Sequence, residues 1–196
     1  MTDDRPINLV VMLEEESAKY MLDVLLPKIL PACVRFLCIP HQGKSHLQKS
    51  IPIKLRAWRK PRPFFVILHD QDSHDCIALK NQLQQLCASA SQHSPLIRIA
   101  CRELEAWYFG DLDAVQQAFP DFIAARYRNK SKFRNPDSIV NPGYELGKIV
   151  PNFTKGYAAR EVSKYMNIDN NTSASFKHTI TSIRNLVEAR PSERRN

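Results

Sequence analysis

Four short, unbroken apolar runs, each followed by a helical pattern, limit what this chain can fold into more than any other feature. The runs cover residues 7–13, 34–39, 64–69 and 96–101. Residues 17–30, 44–58 and 75–90 lie between them. The first carries Met21, Val24 and Leu25 and the third Leu79, Leu83, Leu86 and Cys87 at helical spacing, while the second reads as a helix despite Pro52. A strand that is apolar at every position must be covered on both faces, and a strand–helix–strand alternation places its strands in parallel. The pattern predicts an α/β protein: a layered fold with a central, mainly parallel four-stranded sheet flanked by helices.

Residues 103–109 and 111–119 continue the helical pattern. From Pro120 the texture changes, and residues 120–155 are rich in Pro, Asn and basic side chains with little periodicity. Helical spacing returns at 157–166 and at 173–189, where Phe176, Ile180, Ile183 and Val187 mark one face and Thr172 or Ser173 is the expected N-cap. The reading divides the chain into an α/β core at 1–119, a basic loop and C-terminal helical extension at 120–190, and a polar tail at 191–196.

Five cysteines stand in apolar surroundings without paired ligand spacing. That predicts reduced, mostly buried thiols and a cytoplasmic location, and argues against a disulfide scaffold or a zinc site. The apolar run near the N-terminus meets carboxylates at once, and no segment approaches membrane-spanning length, so no membrane role is expected. With 28 Lys+Arg against 20 Asp+Glu, the chain carries a formal charge of +8. Such a balance favours a polyanion partner, DNA or RNA.

In an open parallel sheet, ligands bind beyond the carboxyl ends of the strands. Three of the four runs deliver acids there: Glu14 after the first, Asp70 and Asp72 after the third, Glu103 and Glu105 after the fourth. Crowded carboxylates repel one another unless a cation intervenes. Hard oxygen donors of this kind, with water and substrate phosphate, suit Mg2+ or Mn2+. Glu14, Asp70 and Asp72 are the expected metal ligands. Glu103 or Glu105 would complete the shell or orient an attacking water. An acid just after a strand also serves as a helix cap or first-turn charge, and Glu15, Glu16 and Asp75 are assigned to that role.

These residues carry a resemblance. "LEEES" after the first strand and "HDQDS" after the third look like the Toprim domain shared by topoisomerases, bacterial primases and overcoming-lysogenization-defect nucleases. "HQGKSHLQK", "RELEAWYFGD", "KSKFRNPDSI" and "SASFKHTI" extend it to a family of small bacterial Toprim-like proteins of unknown function. Those are often encoded beside an ABC- or AAA-type ATPase and suspected of phage defence. The resemblance spans nearly the whole chain. It implies that Glu14, Asp70 and Asp72 bind magnesium in support of phosphodiester cleavage, and that an ATPase is a partner. Toprim domains usually place glycine after the glutamate; here Glu15 follows Glu14.

Two basic runs complete the pattern. Lys54, Arg56, Arg59, Lys60 and Arg62 precede the third strand. Arg126, Arg128, Lys130, Lys132 and Arg134 fall at every second position, with Tyr127 and Phe133 between them. An extended backbone would line those five cations along one side, as a phosphate-tracking stripe with aromatics free to stack on bases. Lys44, Arg59, Lys130, Lys132 and Arg134 are therefore the expected substrate-binding residues. Gly43-Lys44-Ser45 is not a Walker loop, because Cys38 stands where the first glycine is needed. A haloacid-dehalogenase-type phosphatase is disfavoured, since its Asp-x-Asp follows the first strand. The reading is a Mg2+-dependent Toprim-like nuclease in an ATPase-associated defence system. The alternative is a catalytically inactive subunit that binds nucleic acid or the ATPase.

Overall fold

The protein is described by a computed structural model covering residues 6–58, 63–90 and 94–189. Four strands form one sheet, all parallel: β1 (Leu9–Leu13), β2 (Phe36–Pro40), β3 (Phe64–Asp70) and β4 (Leu96–Ala100), in the order β2-β1-β3-β4. β1 is central and fully buried because both its faces are covered. Leu9, Val11 and Leu13 enter one apolar cluster, Val10 and Met12 the other. This two-residue alternation is what splits a uniformly apolar run between two layers.

The helices sort by the same logic. α1 (Glu16–Ile29) puts Met21, Leu22, Leu25 and Leu26 on the Leu13 side. α2 (Lys44–Ala57) and α3 (Cys76–Ala88) put Leu47, Ile51, Leu55, Leu79 and Leu83 on the Met12 side. Each fully buried leucine contributes about 1.5–3 kcal/mol. Pro27 lies within α1 at an exposed position, and Pro52 within α2. Asp75 caps α3, accepting from the Ala78 N–H at 2.8 Å.

After β4 come α4 (Ala106–Phe109), α5 (Leu112–Ala118), α6 (Ala125–Arg128), two 3-10 turns (Ser131–Phe133, Pro136–Ser138), α7 (Pro142–Ile149), α8 (Lys155–Tyr165) and α9 (Ala174–Glu188). These share the Leu13-side cluster: Trp107, Phe122, Leu146, Val162, Phe176 and Ile183 belong to it. α8 packs on α1 and α5, and α9 on β4. Ser173 is the N-cap of α9, accepting from the Phe176 N–H at 3.1 Å. Among the described residues, no helix is long and apolar enough to cross a membrane. The layered α/β architecture agrees with the sequence expectation and with Toprim-like layering.

Two expectations need correction. The alternating basic run is not extended. Residues 125–128 and 131–133 are helical turns, and Phe133 is buried, stacked on Phe109 with centroids 4.9 Å apart. Tyr127 stacks on Phe122 at 5.3 Å, so both aromatics serve the core rather than standing free for bases. Burial of those two rings sets the backbone, and the cations fan out instead of forming one stripe. Cys38 and Cys87 are buried, but Cys33 is exposed and Cys76 and Cys101 are partly so; all five are free thiols. Arg59 and residues 191–196 lie outside the described residues.

Candidate functional site

The strand order itself locates the site. From β1 the chain moves to one neighbour, β2, and then crosses to the other, β3, so α1 and α2 lie on opposite faces. The crevice at such a reversal, beyond the strand ends, is where ligands sit in open parallel sheets. Leu13 is level with Leu68 across the β1–β3 pairing, which brings Glu14 alongside His69 and Asp70. The Glu14 carboxylate accepts from the Asp70 backbone N–H at 3.3 Å, and its Oε2 lies 3.2 Å from His69 Nδ1.

His69 is fully buried and orients this carboxylate. Its Nδ1 faces two acceptors, Glu14 Oε2 and the Asp70 carbonyl at 2.6 Å, so Nδ1 carries the proton. Nε2 then accepts from the Gln48 amide at 3.1 Å, and Gln48 Oε1 accepts in turn from Gln82 at 3.3 Å. A chain of donors from α3 through α2 thus ends on Glu14. His41 Nδ1 bonds the Leu13 carbonyl at 2.8 Å, His46 Nδ1 accepts from the Gln42 N–H at 3.1 Å, and His74 Nδ1 lies 3.2 Å from the Gln71 carbonyl; these are structural contacts.

The β3–β4 rim is held by backbone bonds. Asp72 N–H donates to the Arg102 carbonyl at 2.7 Å and Gln71 N–H to the Ala100 carbonyl at 2.9 Å. Asp72 and Arg102 both adopt left-handed backbone, φ 52° and 63°. Such conformations are unfavourable for non-glycine residues and cluster at functional sites. Asp70 Oδ1 accepts from the Leu104 N–H at 3.1 Å. Asp72 Oδ2 is paired with Lys44 Nζ at 3.0 Å, which puts Lys44 at the rim.

The acids after β4 gather around a cation that the sequence reading missed. Lys155 Nζ, at the start of α8, lies 3.2 Å from Glu105 Oε1, 3.8 Å from Glu15 Oε1 and 4.0 Å from Glu103 Oε2. Glu15 stands at the cap position of α1 without capping it, and faces this group instead. Glu103 Oε2 also accepts from the Gly143 N–H of α7 at 2.9 Å. A Cβ at Gly143 would sit 2.9 Å from Glu103 Oε2 and 3.2 Å from Lys155 Cε, so a side chain there would displace the ends of both. Glu105 is buried, and among the described residues its Oε2 has no hydrogen-bond partner.

The electrostatics follow. Burial raises the Asp70 carboxyl well above the usual range, and Glu105, Glu14 and Glu15 push it further, with Lys155 as offset. Burial likewise raises Glu14, against the lowering pull of His69 and the Asp70 N–H. Glu105 is raised by burial in spite of Lys155. Burial opposes the charge on Lys155, but Glu105, Glu15 and Glu103 outweigh it and hold the ammonium above its ordinary value. Among the described residues, Lys44 pairs with Asp72 and Lys155 with Glu15, Glu103 and Glu105, while Glu14 has the His69 ring beside it.

An excess of desolvated carboxylates, with one orphaned oxygen among them, suits a hard divalent cation in donor chemistry. Among the described residues, no three acidic, His or Cys side chains stand close enough together to form a ready-made cage. Mg2+ does not require one: it keeps several waters and uses one or two protein carboxylates. The donor set therefore fits.

The other predicted substrate residues lie elsewhere. Lys130 sits over the Tyr127 ring at 4.5 Å, Lys132 pairs with Glu145, and Arg134 lines a cleft of about 430 Å³ with Phe109, Asp113 and Tyr165. Arg128 pairs with Asp113.

The fold is that of an α/β protein of the kind seen in the C-terminal region of the Xanthomonas campestris pv. campestris OLD protein. That structure superposes with a TM-score of 0.54 at 11% identity, over 93% of this chain and 96% of that one. At that identity the likeness speaks for the fold alone. The chain belongs to the DUF4276 family, a domain of unknown function, whose pattern matches residues 13–184. No match is found among curated proteins.

Proposed function

We propose that this protein is a Mg2+- or Mn2+-dependent Toprim-like nuclease that hydrolyses phosphodiesters of DNA or RNA. The observation that carries the reading is the convergence of acids from β1, β3 and β4 on one rim at the sheet's reversal point, beside Lys155. The OLD-like fold and the Toprim-like motifs support it.

In this reading Glu14 with Asp70 or Asp72 would hold the cation and water would complete its shell; when bound, the ion would supply charge stabilisation to a phosphoryl group and acidify a water. To join that shell Asp72 would give up its pairing with Lys44, and Lys44 would then be available to a substrate phosphate. Glu105 would be the proton acceptor: among the described residues its Oε2 has no hydrogen-bond partner, and burial raises its basicity above the usual carboxylate range. Glu103 is committed to Gly143 and positions α7. Lys155 stabilises charge that builds on the phosphoryl oxygens. Lys130, Lys132 and Arg134, away from the rim, would contribute to polyanion binding more widely. A role in ATPase-associated phage defence rests on the family resemblance.

The test is cleavage of plasmid DNA and of tRNA by purified protein with Mg2+ or Mn2+. Metal-dependent products that vanish in Asp70→Asn and Asp72→Ala support the proposal. The second reading, a non-cutting subunit, is favoured by the Lys44–Asp72 pairing, which occupies one ligand. It prevails if wild type never cuts while both variants retain binding to nucleic acid or an ATPase.

A further inference from the structure

We propose that Tyr144 is a stacking platform for an unpaired base beside the acid cluster, so that the substrate is single-stranded nucleic acid. The inference rests on the nuclease reading and narrows its substrate class.

α7 begins against the acids. The buried Gly143 donates its N–H to Glu103 at 2.9 Å and lies against the Glu103 and Lys155 side chains. The next residue, Tyr144, turns away from that contact and is 64% exposed. Among the described residues its hydroxyl has no hydrogen-bond partner, and its ring contacts the Lys148 ammonium, 4.0 Å from the centroid. An aromatic ring thus stands next in sequence to the glycine that binds Glu103 of the acid group, and is left open to solvent.

The neighbours suit a polyanion. Lys148 and Lys132 are about half exposed and flank Glu145, which neutralises only part of their charge. Val140, 62% exposed, adds an apolar edge. A ring backed by an ammonium stacks on any base through its π-face, and the lysines reach the adjoining phosphates. Bases within a duplex are already stacked on both sides, so only an unpaired or extruded base can use such a ring.

The experiment uses the full chain carrying Asp70→Asn, which blocks cutting. Its binding to a short fluorescein-labelled single strand, and to the matching duplex, is measured by anisotropy. 2-Aminopurine is moved along the single strand to report stacking. Adding Tyr144→Ala should weaken single-strand binding about 5- to 150-fold, the range for loss of one base–aromatic stack, and leave duplex binding unchanged. Tyr144→Phe and Tyr144→Trp should keep the affinity and the 2-aminopurine quenching that alanine removes. Equal single-strand affinity with tyrosine and alanine, a preference for duplex, or no nucleic-acid binding at all overturns the proposal. A wild type that stacks 2-aminopurine but never cuts sinks the nuclease and leaves the platform. A wild type that cuts equally well with alanine at 144 does the reverse.

Discussion

Replacing Lys155 with methionine removes the cation shared by Glu15, Glu103 and Glu105 while keeping the length of the stem. Breaking a buried ion pair from one side costs about 3–5 kcal/mol, because the remaining charge is stranded. Here Glu105 is 1% exposed but the Lys155 side chain is 45% exposed. Solvent screening halves the figure, to about 2 kcal/mol. For a chain of this size that is a fall in Tm of about 4–8 °C. The loss depends on pH with a definite sign. Lys155 lowers the Glu105 carboxyl, so without it that group rises further. Below its folded pKa Glu105 is protonated and costs nothing; the gap between variant and wild type therefore opens as pH rises through that value. The assay is thermal unfolding of metal-free protein across an acid-to-neutral series, on Lys155→Met, Glu105→Gln and the double variant. The double variant should recover most of the loss, with a coupling energy of about 1 kcal/mol or more. Equal Tm for Lys155→Met and wild type, or additive single effects, would refute the view that Lys155 neutralises this buried group.

Asp70→Asn should raise the Tm of the metal-free protein by about 2–8 °C, corresponding to about 1–2 kcal/mol, because it removes a crowded, desolvated charge while Oδ1 still accepts from Leu104. Since the folded pKa of Asp70 is raised, wild-type stability falls as pH climbs from about 3.9 toward that pKa, and this slope should flatten in the variant. Gly110→Ala should cost about 3 kcal/mol in chemical denaturation, because its Cβ would lie 2.0 Å from Asn171 Oδ1, and Asn171 is locked by bonds to Trp107 O and Ser173 N, each 2.9 Å. Gly147→Ala, in open space within α7, should instead stabilise by about 0.5–1 kcal/mol in the same titration. Asp137→Ala should destabilise by about 2–3 kcal/mol, since that carboxylate accepts from Ser173 Oγ at 2.6 Å and from Ser175 N and Oγ at 2.8 and 3.0 Å at the start of α9; a Tm within error of wild type would count against it.

The sheet was legible because each strand is a short apolar run between helical patterns, but only the pairing of β1 with β3, which the sequence did not give, brings Glu14 beside Asp70. The acids after β4 were legible for the same reason. Lys155 was not: it enters from a segment without periodicity, and it joins Glu15 only because α8 packs on α1. α7 was missed because Gly143 and Gly147 interrupt its eight residues, and its place is set by tertiary contact with Glu103. The basic alternation at 126–134 misled because period two describes charge spacing, whereas Tyr127 and Phe133 decide the backbone by burying their rings. Glu15 read as a helix cap, and only the fold shows that its carboxylate belongs to the acid group.

The central claim is that carboxylates remote in sequence share one ion at the sheet rim. Anomalous diffraction from crystals soaked in Mn2+ tests it most directly. The account predicts a single peak within oxygen-coordination distance of Glu14 and of Asp70 or Asp72, absent in crystals of Asp70→Asn. A peak held by other residues, or none at the rim while Lys44 stays on Asp72, would contradict it.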